Sequence, residues 1–166
     1  MMTIRTERLV LRRPTMDDLD AMFEIMSDPR AMRYWSTLPH ASLDVTRPWL
    51  QAAVDQRVPD GQDFVIELNG RAIGKVGAWR LPEFGFILHP DFWGQGIATE
   101  ASHAFIDYAV STLGATELKA DVDPRNVASL GVLKRLGFVE TGRASNTFLL
   151  GDEWCDSIYL TLPLSR

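Results

Sequence analysis

Hydrophobic residues recur along this chain with two different spacings, one typical of helices and the other of strands. In the stretch 16–26 they fall at positions i, i+3, i+4 and i+7, which places them on one face of a helix that packs on a core. These residues are Leu19, Met22, Phe23 and Met26. The same reasoning predicts helices at 42–56, 98–112 and 127–136, the last one ended by Gly137.

The predicted helix 42–56 contains Pro48. A proline is accepted in the first turn of a helix, but farther in it removes a hydrogen bond and clashes with the preceding turn. We therefore expect two short helices in this stretch, or one helix that starts late.

Alternation of apolar and polar residues predicts the strands. The runs 64–68 and 72–79 flank Asn69-Gly70, two residues that tolerate positive φ and are typical of a tight hairpin turn. A helix separates the strands 83–88 and 118–122, which indicates a parallel crossover. The pattern predicts an α/β (α+β) fold with a mixed, mostly antiparallel twisted sheet of about seven strands and helices on both faces. The remaining strands are predicted at 9–12, 147–150 and 155–161.

A glycine-rich loop stands between the strand 83–88, which Pro90 stops, and the helix 98–112. Its core is Trp93-Gly94-Gln95-Gly96. Glycine leaves the backbone N–H groups accessible, and the first N–H groups of a helix have no internal partner, so such a loop can bind an anion. A tight turn in front of a buried helix uses the same residues, and the loop by itself leaves both interpretations open.

The composition limits the classes of function. The chain has 166 residues, which suits one domain at 1–166 with a full core. Its 17 Lys and Arg against 22 Asp and Glu give a net charge of −5. The basic excess that binding to a nucleic-acid backbone requires is missing, so nucleic acid is excluded as a partner. The acidity would suit a cationic amine, although ordinary solubility charge explains it better.

Cysteine, histidine and hydropathy add three expectations. Cys155 is the single cysteine, so no disulfide can form within the chain. The 3 histidines have no metal-ligand spacing, so no metal is expected. No stretch approaches the roughly 20 apolar residues of a membrane span, and the first residues lack the apolar segment of a signal peptide. We therefore expect a cytoplasmic protein that does not bind a membrane.

A second motif, Asp123-Pro124-Arg125-Asn126-Val127-Ala128-Ser129, follows thirty residues after the glycine loop. With the loop, the opening Thr6-Glu7-Arg8-Leu9-Val10-Leu11-Arg12 and the closing segment 154–160, it resembles the Gcn5-related N-acetyltransferase (GNAT) superfamily. The likeness is closer to the branch of the ribosomal-protein alanine acetyltransferases. It covers nearly the whole chain and rests on the order and spacing of the four segments. It implies a single GNAT-like domain in which a splayed pair of parallel strands holds acetyl-CoA.

The resemblance also implies which residues bind the cofactor. In similar proteins the loop N–H groups bind the pyrophosphate of coenzyme A, while the backbone at Leu88 and the side chain of Asn126 bind its pantetheine arm. Asn126 is equally suited to cap the helix 127–136. Trp93 stands where the superfamily usually has Gln or Arg, so backbone dipoles are expected to meet the phosphate charge. The implied residues are Leu88, Trp93, Gly94, Gln95, Gly96, Ile97, Ala98, Thr99, Asn126 and Ser129.

Acetyl transfer requires an amine without its proton and a thiolate that can leave. Glu83 is the first candidate for the general base, because similar proteins carry a carboxylate near the start of the splayed strand; a solvated surface Glu is the alternative. His89 is a second candidate that we expect to cap or pack instead. Leu133 stands where the superfamily has its usual tyrosine acid. Ser129 is the remaining hydroxyl, and it is as well suited to a helix first turn.

The acceptor amine is expected to lie against Tyr34, Trp35 and the rest of the irregular segment 34–40, with Glu83 beside it. These rings could equally be packing residues. The resemblance favours the α-amino group of a protein or peptide. A small amine such as an amino acid, a polyamine or an antibiotic is the alternative, as is an inactive coenzyme A-binding module. Monomer and homodimer are both compatible with the sequence.

Overall fold

The computed structural model describes residues 2–57 and 61–165, and in them the chain forms eight strands and five helices. The strands are β1 (Thr3–Arg5), β2 (Leu9–Arg12), β3 (Gln62–Leu68), β4 (Arg71–Arg80), β5 (Glu83–Leu88), β6 (Glu117–Val122), β7 (Val139–Leu150) and β8 (Glu153–Pro163). The helices are α1 (Leu19–Met26), α2 (Pro29–Met32), α3 (Leu43–Val54), α4 (Ile97–Ser111) and α5 (Val127–Leu136). Single 3₁₀ turns precede α1 and α4.

All these strands belong to one sheet, in the order β1-β2-β3-β4-β5-β6-β8-β7. Its neighbouring strands are antiparallel except for β5 and β6, which are parallel as predicted. The parallel pair has one register pair, Glu83 with Lys119. Close to it the Lys119 N–H donates to the Pro82 carbonyl at 2.8 Å. The rest of β5 therefore has no partner strand on its β6 side within the described chain.

Hydrophobic clusters cover both faces of the sheet, and β3 shows how the faces divide. Phe64 and Ile66 belong to the cluster under α4 and α5, whereas Val65 between them belongs to the cluster under α1 and α3. In the first cluster the Phe64 ring lies 5.2 Å from that of Tyr108 and 6.2 Å from that of Phe105, centroid to centroid. Helices thus lie on both faces, as the sequence predicts.

The predicted break at Pro48 is wrong, because α3 runs from Leu43 to Val54 with Pro48 inside it. The hydrogen bond that the proline cannot donate would reach the carbonyl of Asp44, an exposed residue in the first turn, where water can serve instead. Leu50 and Ala53 are buried in the same helix. Their burial stabilises a continuous helix against the missing bond.

Three further elements differ from the sequence-based expectation. Residues after Asp28 form the short helix α2, because the Asp28 carboxylate accepts from the Arg30 N–H at 2.8 Å and caps it. Strand β7 begins at Val139 rather than at 147, directly after Gly137 ends α5 with a φ of 100°. Strand β1 brings the number of strands to eight.

No helix in the described residues is long and apolar enough to cross a membrane.

We expect Phe64→Ala to lower the free energy of unfolding by about 3–5 kcal/mol, because it leaves a cavity between the α4 rings and the sheet. Urea denaturation at 25 °C measures the change. Val45→Ala is the matched control, since Val45 is 46% exposed on α3. A loss below about 1 kcal/mol for Phe64→Ala would contradict the assignment of this ring to the packed core.

Candidate active site

The glycine loop leads from the end of β5 to the start of α4. A 3₁₀ turn over Pro90–Phe92 follows the strand, and Gly94 and Gly96 then have φ values of 73° and 75°. L-residues with a side chain rarely adopt such values, which explains the glycines. Gly96 is the N-cap of α4 and supplies no side-chain hydrogen bond to it. The first N–H groups of α4 are therefore left for a ligand or water.

A cavity of about 760 Å³ opens in front of this loop, between β5 and α5. It brings together most of the residues that the resemblance assigns to the cofactor, and the two aromatic residues assigned to the acceptor. Gln95 and Glu83 are not among its described lining residues. Below it is called the larger cavity, and the predicted residues that line it are Tyr34, Trp35, Leu88, Trp93, Gly94, Gly96, Ile97, Ala98, Thr99, Asn126 and Ser129.

The backbone of Leu88 faces this cavity. His89 donates its N–H to the Ile73 carbonyl on β4 at 2.8 Å. Because antiparallel neighbours alternate, the backbone groups of Leu88 and Phe86 point the other way, toward the gap beside β6. The indole N–H of Trp93 donates to the Leu88 carbonyl at 3.0 Å. Trp93 thus covers one of the two hydrogen-bonding groups that Leu88 offers, and leaves its N–H.

Asn126 begins α5 at the opposite wall. Its side-chain oxygen accepts from the Ser129 N–H at 3.2 Å, so the capping role expected from the sequence is confirmed. The amide nitrogen at the other end of the same side chain remains a donor on the cavity wall. The roles of Asn126 as cap and as ligand are therefore compatible, and the second one stays a prediction, as does that of Ser129.

Three arginines line the larger cavity, a feature that the sequence pattern did not predict. Arg30, Arg125 and Arg135 line it, and no Asp or Glu stands among its described lining residues. Arg125 is fixed by Asp123 at 2.7 Å and by Glu153 at 2.9 Å. The Arg125 hydrogen bonds lower the pKa of the buried Asp123 carboxyl, so the pair stays charged. Spacing alone offers no signal for such charges, since they come from three helix ends.

Two guanidinium groups lie against the ring of Tyr34. Those of Arg33 and Arg125 lie 4.9 Å and 5.5 Å from its ring centroid. This contact ties the irregular segment 34–40 to the start of α5. Not all of that segment faces a cavity, because His40 is buried and its ring nitrogen lies 2.7 Å from the Thr46 hydroxyl. Of the segment 34–40, Tyr34, Trp35 and Ser36 are among the described lining residues of the cavities, and the acceptor role of the segment stays a prediction.

A second, smaller cavity of about 370 Å³ lies on the α3 face of the sheet. Trp35 lines both cavities, and β5 connects them, with Phe86 in the larger one and Gly85 in the smaller one. A buried ion pair stands in its wall, with the Lys75 ammonium 2.8 Å from an Asp63 carboxylate oxygen. Its lining residues are Trp35, Ser36, Trp49, Ala52, Ala53, Gln56, Asp63, Lys75, Gly77, Trp79 and Gly85.

Neighbouring groups stabilise the ion pair of the smaller cavity. The Gln56 amide donates to the second Asp63 oxygen at 2.7 Å and accepts from the Asp63 N–H at 2.8 Å. The Lys75 ammonium also lies 5.7 Å from the centroid of the Trp49 ring. Hydrogen bonds of this kind offset the desolvation of a buried pair. The result is a cavity whose one carboxylate is already neutralised.

The remaining catalytic candidates lie apart from the lining residues. Glu83 belongs to the same face of β5 as Gly85, two residues away, so roughly 7 Å of strand separates it from the smaller cavity. Its role as base stays a prediction. His89 caps the 3₁₀ turn by accepting from the Asp91 N–H, and its other ring nitrogen is 3.0 Å from Glu24. This is the capping role expected for it. Leu133 is a buried core residue.

Neither a covalent carrier nor a metal site is evident in the described residues. Cys155 is buried in β8, where burial and the carboxylates of Glu153 and Asp123 raise the pKa of its thiol. A thiol in such surroundings is a weak nucleophile. No group of three or more His, Cys, Asp or Glu side chains in that part of the chain is arranged to hold a metal ion.

Comparison with known proteins identifies the family. Residues 8–139 match the acetyltransferase (GNAT) domain. The uncharacterized N-acetyltransferase p20 of Bacillus licheniformis is 30% identical over 152 residues, which cover 86% of this chain and 85% of that protein. The family and the fold predicted from the sequence are thus confirmed.

Solved structures agree in fold. One is the Salmonella typhimurium acetyltransferase that modifies the N-terminal serine of 50S ribosomal subunit protein L7/L12, with a TM-score of 0.88, 17% identity, and coverage of 99% of this chain and 100% of that one. Another is the Vibrio cholerae spermidine N-acetyltransferase in complex with CoA and spermine, with a TM-score of 0.82, 22% identity, and coverage of 95% and 96%. The chain therefore belongs to the GNAT family and is an N-acetyltransferase that uses acetyl-CoA.

Proposed function

We propose that this enzyme transfers the acetyl group of acetyl-CoA directly to the α-amino group of a peptide or protein, and that it does so in the cytoplasm, where acetyl-CoA is available. The observation that carries the choice of acceptor is the charge of the two cavities. Among their described lining residues the only carboxylate is that of Asp63, which Lys75 neutralises. An acceptor with one amine suits such a lining better than a polycation does.

The larger cavity suits the donor. Backbone N–H groups from Gly94 to Thr99 would bind the pyrophosphate, and the guanidinium groups of Arg30, Arg125 and Arg135 line the same cavity. The Leu88 N–H and the Asn126 amide would bind the pantetheine arm along the unpartnered side of β5. The thioester would then lie toward Phe86, at the end of the larger cavity that is nearest to Gly85.

The smaller cavity suits the acceptor, because its residue Gly85 is next to Phe86, where the stretch of β5 assigned to the donor ends. Its three tryptophans offer large flat surfaces to a peptide or to an apolar side chain. Trp35 lines both cavities and would form the wall that both substrates share, and Tyr34 lies next to it in the larger cavity. A wall of this kind brings the amine against the thioester carbonyl, which is the main requirement of a direct transfer.

The proposed chemistry has one step. The neutral amine attacks the thioester carbonyl, its bond to carbon forms as the carbon–sulfur bond breaks, and coenzyme A leaves as a thiolate. Glu83 would take the amine proton through a water, since it stands about two strand residues below the cavity. The Ser129 hydroxyl would donate to the thiolate. Leu133 has no proton to donate, so it cannot replace the tyrosine acid. Because Cys155 is buried and its thiol pKa is raised, a covalent acetyl-enzyme intermediate is not part of the proposal.

The distance of Glu83 from the cavity also supports an α-amino acceptor. At pH 8 about half of all α-amino groups are neutral, because their pKa is about 8, against fewer than about 1 in 100 alkylamines with pKa near 10.4. An α-amino group therefore needs less help from a base. A polyamine would depend on a carboxylate at the site, both for recognition and for deprotonation.

An acceptor panel tests this proposal. Free thiol is measured after acetyl-CoA is mixed with short peptides that begin with Ser, Ala or Met, with spermidine, and with free amino acids. We expect release with the peptides, and none with matched peptides whose N-terminus is already acetylated. Faster release with spermidine would overturn the proposed acceptor. If acetyl-CoA raises the melting temperature but no amine releases thiol, the chain is a binding module instead.

For the donor site, we expect Gly96→Glu to abolish binding of acetyl-CoA, because it places a like charge where the pyrophosphate approaches the loop. Calorimetry measures the binding, and the melting temperature without ligand shows whether the fold is intact. Gly96→Asn is the control, since asparagine tolerates the φ of 75° at this position and adds no charge. Tight binding by Gly96→Glu would show that the phosphates lie elsewhere.

For the base, we expect Glu83→Gln to lower kcat by about 10²-fold, the low end for a general base, because it acts through a water on an amine that is already partly neutral. The affinity for acetyl-CoA should change little. The remaining rate should rise with pH, as more of the amine becomes neutral. Glu117→Gln on β6 is the control variant. An unchanged rate and pH profile would remove Glu83 from the mechanism, and a loss of cofactor affinity alone would point to a structural role.

For the acceptor site, we expect Trp79→Ala to raise the KM for the peptide several-fold and to leave the KM for acetyl-CoA unchanged. Trp79 lines only the smaller cavity and is 57% exposed, so its loss removes contact area for one substrate. Trp154→Ala is the matched control, because Trp154 is 58% exposed and lines neither cavity. Equal effects on both substrates would place the acceptor elsewhere. Trp35→Ala should raise both KM values.

A further inference from the structure

Arg8, at the start of the chain, contacts the glycine loop, although 87 residues separate it from Gln95. One guanidinium nitrogen donates to the Gln95 carbonyl at 2.8 Å. The Arg8 Nε donates to the Glu100 carboxylate, in the first turn of α4, at 2.7 Å. The side chain therefore joins the beginning of β2 to both the loop and the helix that the loop precedes.

The bond to Gln95 determines which way one peptide group of the loop faces. In a trans peptide the carbonyl of one residue and the N–H of the next point in opposite directions. Because the Gln95 carbonyl points at Arg8, the Gly96 N–H points away from it. Gly96 lines the larger cavity and Gln95 does not. Arg8 thus holds the carbonyl outside the cavity and turns the N–H toward it.

Arg8 is itself fixed by a network around Glu100. That carboxylate accepts from the Thr6 hydroxyl at 2.5 Å and from the Arg8 backbone N–H at 3.0 Å, in addition to the Arg8 Nε. Burial alone would raise the pKa of Glu100, but the hydrogen bonds from Thr6 and Arg8 outweigh it and hold this pKa below its usual value. The carboxylate therefore stays charged at neutral pH and keeps Arg8 in place.

The second guanidinium nitrogen remains close to the loop. A Cβ placed on Gly96 would lie 3.6 Å from the Arg8 Nη2. The Arg8 side chain is 40% exposed, so its positive charge is not buried behind the loop. A guanidinium group is thus present next to Gly96, from another part of the chain, although the Trp93 position does not supply one.

We propose that Arg8 is a positioning residue for coenzyme A: it orients the Gln95–Gly96 peptide so that the Gly96 N–H meets the pyrophosphate. Thr6 and Glu100 act through Arg8, and none of the three residues touches the acetyl group. The proposal concerns donor binding, so it does not depend on which amine is the acceptor or on whether Glu83 is the base.

Calorimetry with CoA and with dephospho-CoA tests the proposal. Both ligands contain the pyrophosphate, and only CoA carries the 3′-phosphate on its ribose. We expect Arg8→Met to weaken both by the same factor, about tenfold, which is typical for the loss of a charged hydrogen bond. Arg143→Met is the matched control: Arg143 is also exposed and paired with a carboxylate, that of Glu140, but it lies on β7 and lines neither cavity.

The outcomes separate the alternatives. A loss for CoA alone would mean that Arg8 contacts the 3′-phosphate, and unchanged affinities with a lower melting temperature would mean that Arg8 only joins the strand to the helix; either result overturns the proposal. If Arg8→Met does not fold, Glu100→Gln keeps the guanidinium in the protein but removes the charged anchor that holds it against the Gln95 carbonyl. It should then weaken both ligands by one factor, and unchanged affinities in that variant would equally overturn the proposal.

Discussion

The divergence of β5 from β6 is the constraint on which the rest of the site depends. The two strands share a single register pair at Glu83 and Lys119, and beyond it the backbone groups of β5 face a gap. Backbone N–H and C=O groups must find partners elsewhere when a neighbouring strand does not supply them. Trp93 provides one such partner, and an extended ligand can provide others. The gap is thus both an unfinished part of the sheet and the reason for the cavity.

Side-chain packing on both faces of β5 keeps this gap open. The Phe84 ring stacks on those of Phe105 in α4 and of Phe138 just after α5, at centroid distances of 5.8 Å and 5.6 Å, so β5 is anchored to both helices. On the other face Ile87 packs in the cluster of α1 and α3. Since β5 is held from both faces at once, its free edge cannot move toward β6 without disturbing two clusters.

Features with a local physical cause could be predicted from the sequence. The Asn69-Gly70 turn, the end of α5 at Gly137 and the stop at Pro90 each depend on residues next to one another. The continuous helix through Pro48 could not be predicted, because burial of Leu50 decides it and that burial comes from a distant segment.

The Lys75–Asp63 pair shows a second limit. If the register set by the two-residue turn at Asn69-Gly70 continued unchanged along β3 and β4, Lys75 would pair with Phe64. Its ammonium would then lie on the α4 face of the sheet. The register instead shifts by one residue between Ile66 and Glu67, so Lys75 pairs with Val65. A shift of one residue moves a side chain to the other face of a sheet. No local sequence pattern predicts this bulge, although it places Lys75 in the wall of the smaller cavity.

The two cavities differ in what forms them. In front of α4 the groups proposed to bind the donor are largely N–H groups of the main chain, whereas the smaller cavity is lined by indoles and an ion pair. Main-chain groups survive most substitutions, since any residue that keeps the loop conformation keeps them. Side-chain surfaces change with every substitution. With the acceptor in the smaller cavity, as we propose, a lineage built on this fold could exchange its acceptor through a few mutations while its donor site stays intact. The fold itself is shared at identities of 17% and 22% by proteins named for a ribosomal subunit protein and for spermidine.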